Sequence, residues 1–118
     1  RGAAVVERAH QQALRPAGER PTALVASEDR TAHAVAAASH ERGVEVPRDV
    51  SLAGFDGLSG TREYPRVLTT WHVRWGELGR LAVKTLVDLI EGGSGPTRVL
   101  VGGNLVVGSS TGPVPAGA

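Results

Sequence analysis

An α/β layered fold with a mainly parallel sheet is what this sequence predicts, and three observations carry it. Short, continuously apolar runs such as Ala23-Leu24-Val25-Ala26 suit strands inside a sheet covered on both faces. Stretches with helical apolar spacing stand between those runs, where an antiparallel sheet would have tight turns. The resulting order is α-β-α-β-β-α-β-β, with no internal repeat, and alternation of this kind builds crossover units.

The elements follow in chain order. Residues 3–14 put Val5, Val6, Ala9, Ala13 and Leu14 on one stripe and Glu7, Arg8, Gln11 and Gln12 on the other face, a helix stopped by Arg15-Pro16-Ala17-Gly18. Residues 23–26 are the first strand, read as buried on both faces. Ser27-Glu28-Asp29 opens a second helix, where a hydroxyl or carboxylate caps free N–H groups and acids suit the helix dipole. Ala32, Val35, Ala36 and Ser39 face inward along it, and Gly43 ends it. Residues 50–55 are the second strand, 56–60 a loop, and the β-branched and aromatic residues 67–71 the third strand. A long helix over 76–90 repeats Leu78, Leu81, Ala82, Leu86 and Leu89 at three and four. Its polar side includes Glu77 and Arg80, spaced to pair for a few tenths of a kcal/mol. Glycines 92, 93 and 95 stop it; 98–101 and 104–107 are two short strands, and the tail after Gly112 frays.

Composition bounds the function. The 118 residues amount to one domain or part of a larger one. Leu, Ile, Val and Phe supply 29 of them, enough apolar volume for a core. Lys and Arg number 13 against 12 Asp and Glu, and all but one of the basic residues are arginines scattered singly. No patch is therefore concentrated enough to neutralise phosphates. The absence of Cys removes disulfides, thiolate metal sites and cysteine nucleophiles. Apolar stretches fall short of the roughly 18 residues a membrane helix needs, and no signal peptide is visible, so a cytoplasmic location without a membrane partner is expected. No Met is present even at position 1, which points to a piece of a longer protein.

Several motifs fail on context. Gly108-Ser109-Ser110-Thr111-Gly112 spells the G-x-S-x-G of a nucleophile elbow, but Pro113 and Pro115 follow where that motif needs a helix. The four histidines, at 10, 33, 40 and 72, form no metal-ligand spacing and read as facing solvent or a partner. Neither a metal nor another cofactor is expected. Asp56 is different. It follows a buried strand, where ligands of parallel sheets bind, and a carboxylate there accepts hydrogen bonds from a ligand's hydroxyls. The competing reading of Asp56-Gly57 is turn chemistry. Trp71 reads as core, whereas Trp75 reads as an aromatic wall for a ligand.

At this point the residues resemble a family, the LacI/GalR-type transcriptional regulators. Residues 21–28, PTALVASE, are similar to the family's "PTA-apolar-apolar-x-N-D" strand. Residues 41–56, ERGVEVPRDVSLAGFD, resemble "ERG-apolar-x-VP-x-DVS-apolar-apolar-GFD". Leu68-Thr69-Thr70 with 77–83, and 105–111, resemble "LTT…ELG-x-x-AV" and "LVVR-x-ST". The resemblance runs from about Gly2 to Pro113.

It implies the C-terminal part of a periplasmic-binding-protein type I-like fold, a Rossmann-like three-layer sandwich whose two lobes hinge around a small effector. Residues 1–68 would be mostly the C-terminal lobe, 69–104 would cross into the N-terminal lobe, 105–113 would return, and 114–118 would be a flexible tail. The DNA-reading headpiece is absent, so operator DNA would be a partner only through a segment outside this chain. Asp56 falls on the family's cleft aspartate, Ser27 on an effector-contacting Asn, Glu28 on a helix-capping Asp, and Trp75 on an aromatic cleft position. Val73 stands for a frequent Gln and Gly108 for the usual Arg, departures from the standard sugar-binding pattern. Family dimers pair through Ala34, Val35 and Ala38 on the helix after Ser27 and through Thr61 and Tyr64 in the loop after Asp56.

The leading expectation is thus the effector-sensing and dimerising portion of a cytoplasmic regulator that binds a sugar-like metabolite and is not an enzyme. The alternative is a sugar-binding protein of a transport system with the same fold. In this chain the leucine stripe of the long helix would lie bare, and the expected cover is a second copy, by domain swapping or an irregular dimer.

Overall fold

A computed structural model describes residues 7–8, 11–16, 18–58, 67–96 and 98–115. Residues 7–8 and 11–13 are helical, and the Gln11 amide donates to Glu7 Oε1 at 3.3 Å across one turn. The further elements are β1 (Ala23–Val25), α1 (Asp29–His40), β2 (Ser51–Asp56), β3 (Thr69–Val73), α2 (Trp75–Ile90) and β4 (Gly103–Val106). The chain separates into two compact units, Arg1–His72 with Leu105–Ala118, and Val73–Asn104.

The strands form one sheet in the order β1-β2-β3-β4. β1 and β2 run parallel with Leu24 opposite Leu52. β2 and β3 run parallel with Gly54 opposite Thr70 and Asp56 opposite His72. Parallel neighbours need a long crossover, and α1 makes it between β1 and β2.

In the first unit the core is small and aliphatic. Ala32 and Ala36 of α1 pack with Val44, Val46, Val50, Leu52 and Leu68, and Leu14, Leu24 and Ala26 close the margin. Alanines on the buried face favour the helix and let it approach the sheet closely. Burying Leu52, which is 2% exposed, stabilises the unit by about 1.5–3 kcal/mol.

The stretch 108–112 locks the N-terminal edge of the same sheet. Ser110 is fully buried; its hydroxyl donates to the Leu52 carbonyl at 2.6 Å and accepts the Thr69 N–H at 2.7 Å, while its own carbonyl accepts the Leu52 N–H at 2.8 Å. Thr69 and Thr111 hydroxyls meet at 2.8 Å, and the Gly108 N–H donates to Thr69 Oγ1 at 2.9 Å. A Cβ on Gly108 would collide with the Val67 carbonyl oxygen and lie 2.7 Å from the Leu68 carbonyl carbon, so the backbone's close approach explains the glycine. The serine of the G-x-S-x-G motif is therefore a structural staple with its hydroxyl engaged on both sides.

In the second unit α2 carries no buried residue. Leu78, Leu81, Ala82, Thr85, Leu86 and Leu89 line an open apolar groove of about 280 Å³ together with Val99 and Val101. Lys84 and Asp88 pair across one turn at 2.6 Å on its polar side.

The structure corrects several expectations. Residues 98–101 are not a strand: among the described residues no ladder partner takes up their backbone groups. β1 is the edge strand, bonded on one side only, and Val25 is 81% exposed, so it is not buried on both faces. The third strand begins two residues later than its apolar run, and Trp71 is 40% exposed instead of core. Glu77 pairs with Arg74 at 3.3 Å, not with Arg80. His33 is buried, against the expectation of a solvent-facing or partner-facing histidine, because α1 turns it inward one turn after Asp29. His40 is exposed and lies 2.8 Å from Glu45. His10 lies outside the described residues.

Candidate functional site

The C-terminal edge of β1 and β2 gathers a compact polar cluster in the first unit. β1 leads into Ser27 and Glu28, both exposed, and α1 starts at Asp29, which is 2% exposed. Glu28 occupies the N-cap without a side-chain capping bond; its carboxylate instead accepts the Thr31 hydroxyl at 3.0 Å. The orphan amides at the start of a helix need acceptors, and Asp56 of β2 supplies one to the Asp29 N–H.

Asp56 ends β2 with φ 109, a conformation that L residues rarely adopt. Its Oδ1 accepts the Leu58 N–H at 2.9 Å, a local bond that lets Asp tolerate positive φ. Gly57 follows at φ 73, with the His72 ring within 2.6 Å of where its Cβ would stand. Strain of this kind is held where the surroundings over-determine it, and such places host function.

Asp29 is the residue that sequence reasoning missed. Its Oδ1 accepts the Thr70 hydroxyl at 2.5 Å, from a strand two places away in the sheet. The path crosses β2 at Gly54, where a Cβ would collide with Asp29 Oδ1 and stand 2.7 Å from Leu68 Cδ2. Gly54 is thus the window through which Asp29 reaches β3. The Asp29 carboxyl also hydrogen-bonds that of Asp56. Burial pushes the Asp56 carboxyl above the ordinary aspartate range, and the charge and hydrogen bond of Asp29 push it further, against the opposing Leu58 N–H. A signal existed in the sequence: Asp29 precedes Ala32 and Ala36 by three and seven, on the inward face.

Of the other residues singled out, Ser27 shares this edge with Asp56. Val73, half-buried, ends β3, and Trp75, 44% exposed, begins α2. Both belong to the second unit. On α1, Ala34 is exposed, Ala38 half-buried and Val35 buried, at 3% exposed. Thr61 and Tyr64 lie outside the described residues. Among the described residues no group of three His, Asp or Glu side chains is arranged to hold a metal ion. No described helix is long and apolar enough to cross a membrane.

Residues 1–111 match the model of the periplasmic binding protein-like domain family. The HTH-type transcriptional repressor PurR of Glaesserella parasuis is 38% identical over 71 residues, which cover 60% of this chain and 21% of that protein. The lac repressor dimer bound to operator and the anti-inducer ONPF is similar with a TM-score of 0.77 and 27% identity, over 90% of this chain and 36% of that one. A LacI family regulator from Lactobacillus casei with bound sucrose shares the fold with a TM-score of 0.77 at 20% identity, over 93% of this chain and 40% of that one. The chain thus spans between about a fifth and two fifths of the length of these relatives.

Proposed function

Since this chain belongs to the periplasmic binding protein-like family, as the C-terminal part of a LacI/GalR-type effector-binding core, we propose that it senses a small hydroxyl-bearing effector through Asp56. The observation that carries the reading is the position of that carboxyl: the end of a parallel strand, at positive φ, partly exposed, beside a helix N-terminus. Ser27 on the same edge offers a hydroxyl to the same ligand. Val73 and Trp75, in the second unit, are kept as candidate effector contacts from the family resemblance. A sugar-like metabolite fits this donor and acceptor set. Binding would bias two arrangements of the lobes, and coupling would be limited by the effector's differential affinity for them. Operator contact would come from a headpiece outside this chain, in a cytoplasmic homodimer with Ala34 and Ala38 at its contact, and no catalytic role is assigned to any residue.

The test is a thermal-shift panel of mono- and disaccharides, nucleosides and small acids. At a hundredfold excess over Kd, a ligand stabilises by about 2.7 kcal/mol, several degrees for a chain of this size. A saccharide is expected to give that shift and Asp56→Ala to abolish it. An unchanged response in Asp56→Ala moves the effector site elsewhere.

A further inference from the structure

Two carboxyl groups in hydrogen-bonding contact cannot both be ionised without strong repulsion, so one proton between them is the stable arrangement. Asp29 is the partner held in a fixed place. It opens α1, where the helix dipole favours an anion, and it accepts the Thr70 hydroxyl at 2.5 Å. The Asp56 carboxyl, pushed above the ordinary aspartate range by its burial and then by Asp29, meets it there, while its own oxygen still accepts the Leu58 N–H at 2.9 Å.

We infer that Asp29 is a positioning residue for Asp56: reaching over Gly54, it ties the Asp56 carboxyl to Thr70 through one shared proton, so the ligand-reading carboxyl changes character with pH. Protonated, Asp56 is latched to α1 and β3 and offers a ligand little beyond its remaining lone pairs. Once the proton leaves, the two charges repel and Asp56 is released as a full acceptor for hydroxyl donors. The link to a ligand rests on the effector reading of Asp56; the shared proton does not.

Among the described residues, the other titratable or charged groups on the packed elements are Glu28, Arg30 and His33 around Asp29 on α1, and His72 opposite Asp56 on β3. The direction of the linkage follows from the proton held in the folded state. The contribution of Asp56 to stability is complete below the ordinary aspartate range and is lost as pH rises through its raised value.

The experiment is a pH titration of the ligand-free chain, following the Asp56 side-chain carboxyl carbon by NMR and the thermal midpoint in parallel. Asp56 is expected to titrate above the ordinary aspartate range, with the midpoint falling as it does. Asp29→Asn, which leaves no acid to share with, should move the Asp56 titration to lower pH and shrink that limb, leaving only the part that burial causes. Thr70→Val, which keeps both acids but withdraws a donor from the doubly charged state, should move the limb to higher pH and tests the pairing should Asp29→Asn fail to fold. An Asp56 that titrates at the ordinary value, or that ignores both substitutions, overturns the proposal. Because no effector is present, that failure is separate from a failed Asp56→Ala thermal shift.

Discussion

α1 and α2 are both amphipathic helices written with the same apolar spacing, yet they end in opposite states. α1 buries Asp29, Ala32, His33, Val35, Ala36 and Ser39, whereas α2 buries nothing. The difference does not come from the quality of the helices, since the leucine stripe of α2 is the more apolar of the two. It comes from what each unit provides opposite the stripe. α1 has β2 and the 44–52 stretch beneath it, while among the described residues Val99 and Val101 face the α2 stripe across an open groove. An apolar face states that a helix must be covered; it does not state by what.

The strongest way to break that comparison is a pair of leucine truncations. Leu52→Ala is expected to cost about 2–5 kcal/mol in urea unfolding, since it opens a cavity in a closed core. Leu86→Ala, at a side chain 58% exposed, should cost less than about 1 kcal/mol. Equal losses would mean that the groove is closed in solution. Next comes Ser110→Ala, which strips the hydroxyl bonded to the Thr69 N–H and Leu52 carbonyl and should cost about 1–3 kcal/mol in the same measurement. A negligible loss would show that the 108–112 staple contributes little to the first unit. The smallest effect sharpens the second unit. If another copy covers the α2 stripe, light scattering should give a dimer mass, and Leu86→Asp should weaken association about tenfold, near 1.4 kcal/mol. A monomer throughout the accessible concentration range would leave the stripe uncovered by self-association.

The candidate site shows where reading residues one by one runs out. Asp56 was visible as a carboxylate after an apolar run, because a strand end is a local feature. Asp29 stands as the third residue of a polar run, in phase with Ala32 and Ala36, but what it meets depends on Gly54 and Thr70 arriving from strands well along the chain. The histidines divide in the same way: His33 is inward because of its helical phase, which composition does not show. The strand assigned to 98–101 had suitable residues and no ladder partner among the described residues.

By itself the sequence determined the alternation of helices with parallel strands from β1 to α2, the alanine face of α1, the stops at Gly43 and Gly92, and the motifs that place the chain in its family. Those depend on spacing and on backbone chemistry within a few residues. Tertiary structure alone decided which acid is buried, which strand lies at the edge, that Ser110 is a staple, and that Asp56 faces Asp29. Each requires groups about 25 or more residues apart to meet, and no local pattern encodes the identity of a partner across that span.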